Sequence, residues 1–169
     1  MRMIDPLIME FDREAATTRK VLSRVPGDRF AWKPHEKSYS LGLLAQHLAT
    51  IPHWIGGSLL SGGFDLAAAG ADVKLKEPAS AEALLATFDG SVRTAKAAMA
   101  ELDDTKAMGS WAFRMGDKVL MEMPRIALVR NILLNHSIHH RGQLSVYLRL
   151  LNVPVPSIYG PSADENPFA

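Results

Sequence analysis

The sequence predicts an all-α protein, a four-helix bundle with a long connection between two of its helices. Three observations carry this. Apolar residues recur at alternating three- and four-residue steps in four separate stretches, each about 20 residues long or more. Breakers separate or end the stretches: Pro26-Gly27-Asp28 and Gly62-Gly63 between them, and Asn152-Val153-Pro154 after the last. The chain of 169 residues, 47% hydrophobic and 22% charged, is sized for one core, so residues 1–169 read as a single domain.

The first helix is expected from about Pro6 to about Val25, with proline in its first turn and Ile8, Phe11, Ala15, Thr18 and Leu22 along one face. The polar, proline-interrupted stretch Phe30–Tyr39 reads as an ordered loop. Ser40 is a natural cap for a second helix from about Leu41 to about Leu60. Ser40, Leu44, His47, Ile51, Trp54 and Ser58 share one face of it, and Pro52 inside it predicts a kink. Gly62 to Pro78 reads as a mobile connection. Ser80 then caps a third helix to about Leu102, with Leu84, Phe88, Val92, Ala95 and Met99 as its stripe. The stretch 103–123 is either a short hairpin turning at Gly116-Asp117 or an irregular crossover. The fourth helix is expected from about Pro124 to about Leu151. Its inner stripe is Ile126, Val129, Leu133, His136, His140, Leu144, Tyr147 and Leu151. A polar, proline-spaced tail follows.

The chemistry concentrates in the fourth helix. His136 and His140 are four residues apart, which stacks two imidazoles on one helical face where both can grip one ion. His47 supplies a third ring from the second helix. Spacing alone leaves His139 as an alternative partner of His136, but His139 and His140 point about 100° apart and the stripe selects His140. His35 and His53 lie off the stripes. Three histidines from facing helices, with one coordination position left open, form the ligand set of a reactive metal rather than a structural one. The pair is not a zincin motif, because Ser137 stands where His-Glu-x-x-His places its general base.

Ser38-Tyr39-Ser40-Leu41-Gly42-Leu43-Leu44-Ala45-Gln46-His47-Leu48 resembles the second-helix motif of the DinB/YfiT-like superfamily. His136-Ser137-Ile138-His139-His140-Arg141-Gly142-Gln143-Leu144 resembles its late-helix motif. The resemblance runs from the first helix through Leu151. It implies that family's four-helix bundle with a long crossover, often a homodimer, and a divalent ion, zinc or nickel foremost, on His47, His136 and His140. It also implies a thiol-dependent transferase or isomerase that uses a low-molecular-weight thiol as co-substrate. A divalent ion lowers the pKa of a bound thiol, and a chain with no cysteine must import that thiol.

These readings converge on a metal-dependent S-transferase or hydrolase acting on a small electrophile. The contrasting expectation is a non-enzymatic stress-response or ligand-binding protein with a structural or vestigial metal. Gln143 shares the face of His136 and is a candidate orienting group, with helix packing as the plainer role. Arg141 points off the stripe and is expected in a structural salt bridge. Trp32, Trp54 and Trp111 are expected as core aromatics. If water were activated, an acid elsewhere in the chain would have to serve, with Glu122 and Asp164 as candidates. A net charge of +1 without a basic block predicts no nucleic-acid partner. The N-terminal segment lacks a signal-peptide core, and the weakly polar run Leu41–Leu60 is too interrupted to span a bilayer, so a cytoplasmic protein is expected. Ile132, Leu134, Ile138 and Val146 fall off the inner stripe and need cover, which the crossover or a second subunit would supply.

Overall fold

The computed structural model describes residues 1–70 and 75–168. Each predicted long helix is present. α1 (Asp5–Leu22) carries Pro6 in its first turn and ends three residues before the expected Val25. The cause is Pro26, which disfavours helical backbone in the residue before it. α2 (Leu41–Leu59) starts where predicted: the Ser40 hydroxyl accepts the Leu43 N–H at 3.2 Å. Pro52 lies within this helix without ending it. α4 (Ala81–Ala100) has the same kind of start, with Ser80 accepting from Ala83 N–H at 3.1 Å. The predicted stripes are buried: Phe11, Ala15, Thr18 and Leu22 on α1, and Leu84, Phe88, Ala95 and Met99 on α4.

Cross-helix contacts set the helix directions. Ser40 bonds Glu77 just before α4, and Gly56 abuts Ala95 late in both helices, so α2 and α4 run parallel. Arg19 pairs with Asp89 and Lys96 with Asp12, so α1 runs antiparallel to α4. The fourth helix pairs Arg130 with Glu10 and Arg141 with Glu14, and so runs parallel to α1. Two parallel neighbours need a return along the bundle between them. That is the long crossover, from Leu60 to Ser80.

The all-α expectation is corrected by a three-stranded sheet. β1 (Gly63–Asp65) and the one-turn α3 (Leu66–Ala69) occupy the start of the crossover, which was expected to be mobile throughout. Residues 71–74 of that expectation lie outside the described residues. After α5 (Asp104–Met108), β2 (Ser110–Met115) and β3 (Lys118–Pro124) form the hairpin left open by the sequence. Gly116, at φ +57°, makes its turn. β1 pairs with β2 in parallel, Phe64 opposite Phe113. The sheet docks on the C-terminal end of α2, whose last carbonyls lack partners within the helix. The Trp111 indole N–H donates to Ser58 O at 2.9 Å, and Arg125 Nε donates to Leu59 O at 2.8 Å. Trp111 is fully buried beside Trp54, as its aromatic character predicts.

The fourth helix is not uniform. α6 (Arg125–Leu128) passes into a π-helical turn (Val129–Asn135), which passes into α7 (His136–Leu150). Leu128 and Leu144 are both fully buried. An unbroken α-helix would set them roughly 160° apart. The wider π winding closes that angle and keeps both in the core. The deepest residues of α7 are Arg141, Leu144 and Leu148, whereas His136, His140 and Tyr147 sit half-buried on its flank. The predicted stripe is therefore corrected on α7: of its members there only Leu144 is in the core, Arg141 and Leu148 from outside it fill the rest, and the histidines stand at the rim.

The α2–α4 contact is tight enough to test. A Cβ on Gly56 would stand 2.7 Å from the backbone nitrogen of Ala95, whereas one on neighbouring Gly57 meets nothing. Gly56→Ala should lower stability by about 1–3 kcal/mol through overpacking. Gly57→Ala should raise it by about 0.5–1 kcal/mol by restricting the unfolded chain. Urea unfolding of the two variants checks both signs.

Candidate metal centre

His47 comes from the flank of α2, and His136 and His140 from the facing flank of α7, which runs antiparallel to it. The π turn ends at Asn135, immediately before His136. It sets the rotational phase with which α7 presents both rings to α2. The Nε2 atoms of His47 and His136 are 3.3 Å apart, and those of His136 and His140 are 2.7 Å apart. One donor nitrogen from each ring lies within 4.8 Å of the other two. All three predicted ligands are thus brought together, and each ring is half-buried.

The rings act on one another electrostatically. Burial, and then the neighbouring His140, push His47 down to about 4. Burial followed by the surrounding histidines does the same to His136, also to about 4. His140 is lowered by burial, against which its hydrogen bond to the Gln143 side-chain oxygen works. All three rings are therefore neutral near pH 7 and offer lone pairs. Among the described residues, no carboxylate figures among the groups acting on them.

The donor set fits a divalent ion. His136 Nε2 lies between two other Nε2 atoms, and a single proton there can satisfy only one of them. One cation satisfies all three. Two ligands at about 2.1 Å from a tetrahedral ion are about 3.4 Å apart, close to the His47–His136 spacing.

Gln143 is seen at the site, its Oε1 2.8 Å from His140 Nδ1. Tyr39 was not anticipated. Its ring centroid is 6.1 Å from that of His47 and it is half exposed, so it walls one side of the site. The Tyr147 hydroxyl donates to Tyr39 O at 3.3 Å, and Trp32 stands edge-on to Tyr147 at 5.6 Å. The aromatic content of Phe30–Tyr39 was the available signal, but placing it needs the loop's return onto α2, fixed by Leu41 N–H donating to Trp32 O at 2.8 Å.

The other candidates lie elsewhere. His139 is exposed, its ring 4.9 Å from that of His140. His53 opens on a groove of about 520 Å³ between α2 and α4, and His35 caps its own loop by accepting Lys37 N–H. Glu122 is held by Ser110 on the sheet, and Asp164 by Arg149 and Val155 N–H in the tail. Arg141 makes the expected salt bridge, to Glu14 at 2.7 Å. It points away from the histidine face, as expected, and is only 1% exposed. Its partners explain this: Thr18 Oγ1 and the Glu14 carbonyl at 3.2 Å, and Tyr159, whose hydroxyl donates to Glu14 at 2.9 Å. The proline-spaced tail thereby closes over the pair.

The family model described as the DinB family matches residues 3–167. Among curated proteins the chain is 24% identical over 162 residues to the uncharacterised protein YrdA of Bacillus subtilis, covering 96% of this chain and 91% of that one. Among solved structures it is similar to a DinB-like protein, YjoA, from Bacillus subtilis, at 21% identity and TM-score 0.69, covering 91% of this chain and 98% of that one. It is also similar to a DinB-like protein from Bacillus cereus, at 21% identity and TM-score 0.66, covering 90% and 95%.

Lowered histidine pKa values couple folding to pH. The unfolded chain takes up protons near the ordinary value of 6.5, whereas folded His47 and His136 take them up only near 4. The stability these rings contribute is therefore complete above about pH 6.5 and is lost as pH falls from there to about 4. In metal-free protein, the urea midpoint should fall across that window. The double variant His47→Gln/His136→Gln should flatten the fall, and equal slopes would show that other groups cause it.

Proposed function

The chain belongs to the DinB family, and from its half-open triad of neutral nitrogens we propose a metal-dependent enzyme that joins a small external thiol to a small electrophile. The observation that carries this reading is the donor set. Three neutral ligands cancel none of a cation's charge, and among the described residues no acid acts on the rings to serve as a base for water. A divalent ion held there, zinc or nickel, would lower the pKa of a thiol arriving at its open side. The chain has no cysteine of its own, so the thiol comes from solution. It gives its proton to solvent, the sulfur forms a bond to the electrophilic carbon, and the leaving group departs with its bonding pair. Tyr39 and the half-buried rings supply a partly dry wall against which the electrophile lies.

Among the described residues no helix is long and apolar enough to cross a membrane. We place the protein in the cytoplasm, where small thiols are kept reduced. We further propose that it pairs with a second copy through the outer face of α7, where Val146 and Leu150 are each 57% exposed.

Three outcomes test these readings. Zinc or nickel at 100 times its Kd should stabilise the wild type by about 2.7 kcal/mol. His140→Ala should lose most of that gain and His35→Ala none, as read by thermal unfolding with and without metal. Metal-loaded protein should speed conjugation of one or more small thiols to an electrophile such as a chloro-dinitroarene, and His136→Ala should not. Hydrolysis of simple esters or amides with no thiol-dependent rate would replace the transferase by a hydrolase, and neither activity would leave a metal-binding protein. Light scattering at micromolar concentration should give twice the chain mass of 18.5 kDa.

A further inference from the structure

We propose that Gln143 is a positioning residue of the triad: its side-chain oxygen keeps the His140 proton on Nδ1 and so leaves Nε2 free as the ligand. This rests on the reading of the triad as a metal site. Gln143 stands three residues after His140 on α7, the spacing at which side chains on a helix meet. Its Oε1 is 2.8 Å from His140 Nδ1, and on the opposite edge of the same ring Nε2 points at His136 Nε2. An amide oxygen only accepts, so the proton between them belongs to the ring.

The consequence is specific to this histidine. A neutral imidazole side chain in water favours the proton on Nε2, the nitrogen this site needs bare. His140 must therefore be held in its less favoured tautomer, and an acceptor at Nδ1 does that. Among the described residues, His47 and His136 have no protein partner at Nδ1. The triad is thus oriented from outside at one ring only. The choice of an amide also matters. A carboxylate would hold the same proton but would add negative charge beside the ion. Gln143 orients the ring and leaves the cation's charge uncancelled, which is what recruitment of an anionic sulfur requires.

Three proteins decide this: wild type, Gln143→Leu and Gln143→Glu. Gln143 is exposed, so the substitutions should leave the thermal midpoint of metal-free protein nearly unchanged. The first readout uses no metal. Long-range ¹H–¹⁵N correlation spectra of metal-free protein at neutral pH should show His140 protonated on Nδ1 in wild type and Gln143→Glu, and shifted toward Nε2 in Gln143→Leu. The second readout is zinc affinity, by competition with a chromophoric chelator. Gln143→Leu should bind about 10- to 100-fold more weakly, and Gln143→Glu at least as tightly as wild type. A His140 tautomer unchanged in Gln143→Leu overturns the proposal whatever the metal does. Wild type that binds no zinc, yet shows the tautomer shift, overturns the metal reading and keeps the role of Gln143 in orienting the ring.

Discussion

The close contact of α2 with α4 fixes the element on which everything else is built. Gly56 lets the two backbones approach where any side chain would collide with Ala95, and α2 is thereby held along one side. Its C-terminal carbonyls are then taken by Trp111 and Arg125, so the sheet and the start of the fourth helix are hung from the same helix. Its other flank carries His47. A shift of α2 would move the sheet, the entry to the fourth helix and the third ligand together.

The opposing wall is fixed by a different interaction. Arg141 is buried against Glu14 and Thr18 on α1 and is covered by Tyr159. Burying such a pair gains little stability, because desolvation offsets most of the attraction. It does fix how α7 is rotated, since an unpaired guanidinium in that position would be costly. His140, one residue earlier, is then turned toward α2, and the π turn before His136 brings the upstream leucines back into the core. The site is thus framed by a charged contact facing α1 and a neutral cluster facing α2, on adjacent residues of one helix.

Burial strong enough to hold the rings neutral, together with exposure enough to admit a ligand, gives the triad its chemical character. Fully buried, the three nitrogens would form a closed site; fully exposed, they would titrate near their ordinary value. Half-burial with an aromatic wall of Tyr39, Tyr147 and Trp32 leaves lone pairs available near neutral pH and one side open.

Much of this was legible in the chain. The four helices, the Ser40 and Ser80 caps and the pairing of His136 with His140 follow from local rules: periodicity, capping chemistry and ligand spacing act within a few residues. His47 is added from its inward face and the family motif, and it does meet that pair. The family resemblance added the long crossover, and the match over residues 3–167 bears the family out. The sheet was hidden because β1 is three residues long and pairs in parallel with a strand far along the chain. Arg141 lies off the histidine stripe as its phase predicts, but its burial against α1 depends on the Glu14, Thr18 and Tyr159 contacts, which its phase does not encode. Tyr39 and the Gln143–His140 bond depend on side-chain placement. Sequence by itself determined which residues have the period and the donor atoms to build helices and a ligand set. Tertiary structure decided the rotation of the fourth helix, the depth of the rings and what stands beside them, because those depend on contacts between segments that periodicity within one segment does not encode.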